Sequence, residues 1–354
     1  LPDGLITIGG YAFKGCVALG SVIIPASVTT IGEGAFYSCQ GMTSALIRSG
    51  VQTIGKRAFS KCYAMTAVTI PASVTAIGGF AFQSTAWLDN QTNQFVTAGD
   101  GILLAYTGSA AGVIVPSSVK TIGYGAFYDN SNLTSVTIQN GVVNIDDFAF
   151  YYCDNLITVT FPPTGLTRIG ANAFQYCSDL VTANIPSSVK TIGANAFAST
   201  PWYNNFASSF ITAGDSILIG YKGTQANVTI PQSVKTVNPG VFKNKTTAVS
   251  VTVPASVTSV GEQAFMGCVN LASVTFNAAS FTLGAEAFRG CTALSAVTLP
   301  AGITDIGAGA FVGCTSLQSA YLSDGLNRVA GDMFNGCTSL TTVRLAPGTE
   351  SIGS

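Results

Sequence analysis

An aromatic residue returns along this chain at an almost constant interval. The phenylalanine of an Ala-Phe pair falls at Phe13, Phe36, Phe59, Phe82, Phe127, Phe150, Phe174 and Phe197, then at Phe242 (after Val), Phe265, Phe288, Phe311 and Phe334 (after Met). The spacing is 23 residues except for one step of 24 and two of 45. A unit this short cannot bury an apolar face alone, so the copies must stack and share one continuous core. The period predicts a single elongated β-rich solenoid of about 15 coils covering residues 1–354.

Inside one coil the order of segments is readable. In Leu271-Ala272-Ser273-Val274-Thr275-Phe276 the last three residues alternate apolar and polar, the pattern of a short strand with one face on a core. Pro25, Pro71, Pro116, Pro162, Pro186, Pro231, Pro254 and Pro300 close that strand in many coils, because proline has no N–H for the next ladder bond. A Val-x-x-Ile-Gly segment follows, as in Val28-Thr29-Thr30-Ile31-Gly32. Its glycine is replaced elsewhere by Asp146, Asn238 and Ala330. Gly, Asn and Asp share a tolerance of positive φ, which predicts a left-handed corner there, strained at Ala330. The Ala-Phe-x-x-Cys stretch then turns the chain through a compact bend or a single helical turn.

The two long intervals carry extra segments that match one another. Ser84-Thr85-Ala86-Trp87 corresponds to Ser199-Thr200-Pro201-Trp202, and Phe95 to Asp100 corresponds to Phe210 to Asp215. Phe82 to Phe197 and Phe127 to Phe242 are both 115 residues, so a block of several coils was duplicated inside the array. Residues 83–112 and 198–227 read as hairpin-like insertions in double-length repeats, each turning at Gly-Asp. Trp87 and Trp202 either fill the core beneath their insertions or stand out to stack on a sugar or anchor a partner. Asp100 and Asp215 supply one carboxylate per site, too few for a calcium cage.

The consensus Leu-x-x-Val-x-Ile-Pro-x-x-Val-x-x-Ile-Gly-x-x-Ala-Phe-x-x-Cys resembles the BspA-type subfamily of leucine-rich repeats, over essentially the whole chain. The resemblance implies a leucine-rich repeat horseshoe with short parallel strands and few short helical turns. It also implies a secreted or cell-surface location and a non-enzymatic binding or adhesion role toward host proteins, glycans or other cells. The alternative is a rigid spacer presenting another domain of a longer surface protein. The chain opens at Leu1-Pro2-Asp3-Gly4 and closes inside a repeat, which suggests a piece of such a protein.

Composition narrows the chemistry. The chain has 15 Lys plus Arg, 16 Asp plus Glu and no His, so its formal charge is −1 and only 9% of residues are charged. Histidine-dependent catalysis and imidazole metal sites are excluded, and no basic excess exists to neutralise nucleic-acid phosphates. No apolar run reaches the length of a membrane span. We therefore expect no catalytic residue, cofactor, metal, nucleic acid or membrane insertion, and a monomer. All nine cysteines lie three residues after a repeat phenylalanine. Equivalent residues on stacked strands sit about 4.8 Å apart with parallel Cβ vectors, so they read as a buried column of free thiols and not as disulfides. Asp146-Asp147 reads as a solvated corner, and Lys120, Lys190 and Lys235 as separate surface positions.

In a leucine-rich horseshoe the first strand lines the concave face. Its outward positions here are Ile23, Leu46, Thr69, Ile114, Thr137, Thr160, Asn184, Thr229, Thr252, Thr275, Thr298, Tyr321 and Arg344, of which seven are threonine. β-branched threonine suits any exposed strand position. The functional reading is a broad polar recognition surface with Thr137, Thr160, Thr252, Thr275, Thr298, Tyr321 and Arg344 as candidate contacts, joined by Trp87 and Trp202 of the insertions.

Overall fold

The computed structural model describes residues 1–303, 305–322, 325–326, 328–345 and 347–353. The chain is a β-solenoid built almost entirely of parallel strands. It forms two compact units, Leu1–Asn184 with Asn195–Asn204, and Ile185–Ala194 with Asn205–Ser354.

A regular coil contributes two strands. The first is commonly three or four residues long, as in Ser21–Ile24, Ser135–Ile138 and Ser250–Val253. The second has only two residues, as in Thr30–Ile31 and Ser259–Val260. Each pairs in parallel and in register with its counterpart one coil on, so Ile114, Thr137 and Thr160 lie side by side in the first unit. Thr229, Thr252 and Thr275 do the same in the second. Strand periodicity sends Val136 and Ile138 into the core and leaves Thr137 exposed between them. After the first strand the proline carbonyl takes over the turn: Pro25, Pro116 and Pro231 accept the N–H of Val28, Val119 and Val234 at 3.0 to 3.1 Å.

The repeat phenylalanines stack on one another along each column. In the first unit Phe13, Phe36, Phe59 and Phe82 follow at centroid distances of 5.0 to 5.4 Å, nearly parallel. A second run takes in Phe127, Phe150, Phe174 and Phe197. In the second unit Phe242, Phe265, Phe288, Phe311 and Phe334 continue the pattern. Removing one such buried ring costs about 3–5 kcal/mol, which makes this column the main apolar support of the coil.

The corner glycine does something other than expected. Gly32, Gly55, Gly78, Gly123, Gly170, Gly261, Gly284 and Gly307 do not have positive φ, nor do Asp146, Asn238 and Ala330, so Ala330 is not strained. Most coils carry glycine there because they touch the preceding coil backbone to backbone, although Asp146, Asn238 and Ala330 show that a side chain can be accommodated. A Cβ on Gly55 would lie 2.6 Å from the amide nitrogen of Glu33 in the preceding coil. The left-handed residues instead sit two before and two after each phenylalanine, for example Gly34 and Ser38 around Phe36, or Gly309 and Gly313 around Phe311. These reversals turn alternate N–H groups toward the next coil. Gly34, Phe36 and Ser38 donate to the carbonyls of Lys56, Ala58 and Ser60 at 2.7 to 2.9 Å, a third ladder of inter-coil bonds.

The insertions are antiparallel hairpins whose return strand takes the place of a coil. Phe95–Ala98 pairs antiparallel with Ile102–Tyr106, and Ile102 and Leu103 then pair in parallel with Thr121 and Ile122. Phe210–Ala213, Ile217–Tyr221 and Thr236–Val237 repeat this in the second unit. Tyr106 stacks on Phe127 at 5.0 Å and Tyr221 lies tilted against Phe242 at 4.8 Å, so a tyrosine fills the phenylalanine slot. The 45-residue intervals are thus two coils, the second with tyrosine as its marker.

Candidate functional site

The outward residues of the first strands form exposed ladders in each unit. Ile23, Leu46, Thr69, Ile114, Thr137, Thr160 and Asn184 are all exposed in the first unit, Ile114 to 60%. In the second unit Thr229, Thr275, Thr298, Tyr321 and Arg344 are exposed and Thr252 is half-buried. Thr298, Tyr321 and Arg344 occupy neighbouring register positions on three successive strands. Thr137 and Thr160 border an open groove of about 420 Å³, whose walls include Gln139, Asn140 and Pro163. Hydroxyl, amide and proline surfaces meet there without a charged side chain.

Trp87 and Trp202 lie elsewhere. Trp87 is half-buried against the core, its ring edge-on to Phe82 at 5.3 Å, and Trp202 is tilted on Phe197 at 4.8 Å. Each covers the last ring of a phenylalanine run. The local fold explains their placement. Thr85 and Thr200 occupy the slot that cysteine fills in regular coils and are buried completely. Their hydroxyls donate to the carbonyls of Phe82 and Phe197 at 2.8 Å and accept the N–H of Leu88 and Tyr203 at 3.2 Å. This caps the four-residue helices Ala86–Asp89 and Pro201–Asn204 that carry the tryptophans.

All nine thiols are free, seven of them buried, with Cys16 exposed and Cys337 half-buried. From Cys39 to Cys337 each Sγ–H donates to the carbonyl of the phenylalanine one coil earlier, as Cys62 does to Phe36 at 3.2 Å. Burial pushes the thiols of Cys62 and Cys314 up to about 12 and that of Cys268 up to about 11. A thiol held protonated and inside is neither a nucleophile nor a metal ligand. Among the described residues no three His, Cys, Asp or Glu lie together as a metal site would require, and no helix is long and apolar enough to cross a membrane.

Several charged positions are paired, which their sequence context concealed. Lys190 and Lys235, taken as separate surface positions, converge on Asp215 at 2.9 and 2.7 Å, and Lys120 reaches Asp100 at 2.6 Å. Asp146 and Asp147 are not a freely solvated corner: the two guanidinium nitrogens of Arg168 in the next coil bind them at 2.7 and 2.9 Å. Burial raises the Asp146 carboxyl above its ordinary value and Arg168 opposes that rise. Sequence reading also passed over an aromatic strip on the turn side of the first unit, formed by Phe80, Tyr124, Tyr128, Phe148, Tyr151, Tyr152 and Tyr176. Its members fall at different offsets from the phenylalanine, so no single motif marks them.

Solved structures similar to this chain include leucine-rich repeat proteins of several bacteria. The chain is similar to a leucine rich cell surface protein from Faecalibacterium prausnitzii A2-165, with 28% identity over 96% of this chain and 83% of that one and a TM-score of 0.39. It is similar at 25% identity to a leucine-rich repeat protein from Bacteroides ovatus, covering 99% and 88% of the two chains with a TM-score of 0.35. It is also similar at 25% identity to a leucine-rich repeat protein of T. pallidum, covering 64% and 90% with a TM-score of 0.34. None of the curated proteins matches the sequence closely enough to count as a relative. The family model described as the BspA type leucine rich repeat region matches in six copies, across residues 1–96, 104–218 and 220–341. With its consensus cysteine, corner glycine and stacked phenylalanine explained coil by coil, the chain belongs to the BspA-type leucine-rich repeat family.

Proposed function

We propose that this chain is a secreted or cell-surface binding module without catalytic activity, which holds a host protein, a glycan or another cell through the first-strand faces of its coils. The observation that carries this reading is the in-register ladder of exposed side chains, with its groove beside Thr137 and Thr160 and its Tyr321–Arg344 end. Parallel strands hold these side chains at a fixed spacing, so an extended ligand meets a preorganised row and orders few groups on binding. Family membership supports the surface location. With so few charges on the ladder, affinity comes from many polar and apolar contacts and not from electrostatic steering, so it should change little with salt.

The test is a panel of immobilised matrix proteins, mucins and glycans, probed with the wild-type chain and with the double variant Tyr321→Ala, Arg344→Ala. Tyrosine and arginine are the residue types that dominate interfaces, so the double variant should lose about tenfold in affinity or more. A second variant, Thr137→Asp with Thr160→Asp, should weaken binding by placing unpaired charge in the groove. Unchanged binding by both variants, or no binding to any member of the panel, contradicts the reading and leaves the coils as a spacer.

A further inference from the structure

The aromatic strip of the first unit belongs to neither the core nor the strand face. Phe80 lies edge-on to Tyr124 at 4.8 Å, Tyr124 meets Phe148 at 5.2 Å, and Phe148 meets Tyr151 at 5.1 Å. Tyr151 in turn contacts Tyr128, Tyr152 and Tyr176 at 5.6, 4.7 and 5.5 Å. Tyr128 and Tyr152 are 49% and 39% exposed, and the other five rings are half-buried. Exposed aromatic surface of this continuity is a feature of interaction sites. Its placement works against the backbone. Phe80, Phe148, Tyr152 and Tyr176 all hold φ between 60° and 62°, where an L side chain is disfavoured. In the second unit the same two columns carry Gly240, Gly267, Gly290, Gly309, Gly313 and Gly336 beside the polar Asn244, Gln263, Glu286 and Asp332, and no aromatic residue.

The charge around the strip points to its ligand. Residues 80–176 contain six aspartates, at 89, 100, 129, 146, 147 and 154, and two basic residues, Lys120, which pairs with Asp100, and Arg168. That arginine is already bound by Asp146 and Asp147, and Arg57 borders the strip only at its Tyr124 end. Asp129 shares the column two after phenylalanine with Tyr152 and Tyr176, and Asp147 shares the column three before it with Tyr124. Carboxylates and rings therefore interleave on one face, and the exposed Asp129 and Asp154 form no ion pair among the described residues. At its first coils the molecule shows what such rings take. Lys14 lies 5.4 Å from the centroid of Tyr11 and 5.8 Å from that of Tyr37, and Lys61 lies 5.6 Å from Tyr37. In the strip the same columns hold tyrosine, phenylalanine and aspartate beside the uncharged Gln83, Ser84, Gly125, Asn172 and Gln175, and no cation.

We propose that the Phe80–Tyr176 strip is a docking surface for the arginine and lysine side chains of a basic peptide segment. The cation lies against a ring while a neighbouring carboxylate neutralises it. This face differs from the strand ladder of the proposed function, and its ligand chemistry is opposite in salt response. The probe is a fluorescent peptide of alternating Arg and Gly, followed by anisotropy, with a Gln-Gly peptide of equal length and a neutral β-glucan oligosaccharide as comparators. The Arg peptide should bind, the Gln peptide should not, and binding should weaken steeply as salt rises from about 50 mM toward 500 mM.

Tyr152→Gly with Tyr176→Gly should cut affinity about tenfold while leaving the thermal midpoint unchanged or higher, because glycine suits the left-handed backbone. Asp129→Asn with Asp154→Asn, which touches no ring, should weaken binding severalfold and serves if the glycine variant folds poorly. Tyr321→Ala with Arg344→Ala should leave peptide binding unchanged, which separates this surface from the strand ladder. The proposal is overturned if the Arg peptide fails to bind, if it binds these strip variants as tightly as wild type, or if the oligosaccharide binds in its place with no effect of Asp129→Asn.

Discussion

The hairpin Phe95–Tyr106 and the hairpin Phe210–Tyr221 are two copies of one device, and their differences separate what closes a coil from what merely satisfies it. Both place a buried tyrosine in the phenylalanine slot and both turn through a left-handed Gly99 or Gly214. Both also set a glycine against that tyrosine: a Cβ on Gly108 or Gly223 would come within 2.4 Å of the hydroxyl of Tyr106 or Tyr221. The copies part in their polar partners. Tyr221 donates its hydroxyl to Gln225 at 2.6 Å, whereas Tyr106, whose counterpart of Gln225 is Ala110, has a buried hydroxyl with no partner among the described residues. Asp215 gathers two lysines and Asp100 one, because Lys190 is matched by Thr75 in the first copy. Ring, turn and close-packed glycine are shared; the partner of the tyrosine hydroxyl and the second lysine are present in one copy only.

The comparison would break first at the rings. Tyr106→Ala and Tyr221→Ala should each cost about 3–5 kcal/mol in urea unfolding, because each empties a slot in the stacked column. A cost below about 1 kcal/mol in either would show that hairpin to be surface decoration. Thr85→Ala and Thr200→Ala should follow at about 1–2 kcal/mol, since each strips a buried carbonyl of its donor and a short helix of its cap. The hydroxyls give opposite signs. Tyr221→Phe should cost about 1 kcal/mol, while Tyr106→Phe should be neutral or stabilising, because it removes an unsatisfied buried group. Ala110→Gln should stabilise the first copy by up to about 1 kcal/mol, an increment that Tyr106→Phe then abolishes.

The smallest effect is electrostatic. Hydrogen bonds from Lys235 and Lys190 hold the Asp215 carboxyl below its ordinary value. Its contribution to stability is therefore present above the unfolded value of about 3.9 and is lost as pH falls through the lower native value. Asp215→Asn should lower the thermal midpoint slightly at neutral pH, and the gap from wild type should close on acidification toward about pH 2 and shrink in high salt. Asp100→Asn, with one lysine released, should show the smaller gap at neutral pH.

Much of the fold could be read before the structure. The 23-residue period, the alternation that exposes Thr137 between Val136 and Ile138, the free thiols and the duplicated insertions all follow from side-chain pattern alone. The left-handed positions did not, because glycine answers to two different demands. At Gly55 it is required by the backbone of the previous coil, and that need is uniform enough to look like a corner motif. Positive φ falls instead on Arg57, Phe148, Gln263 and Tyr176, whose identities vary because inter-coil hydrogen bonds impose the conformation. The charge clamps were hidden for a related reason. Lys190, Asp215 and Lys235 are far apart in sequence and meet only when coils stack. The aromatic strip is dispersed in the same way, over Phe80 to Tyr176.

The central claim is that the interior coils of each unit close on buried, chemically silent side chains, leaving recognition to the outward residues. Counting reactive thiols with a disulfide reagent in the native protein tests it most directly. The account predicts a fast reaction at Cys16, a slower one at Cys337, silence from the seven buried thiols, and all nine cysteines reacting in denaturant. Rapid native modification of Cys62, Cys177 or Cys291, or fewer than nine thiols after unfolding without reductant, would contradict it.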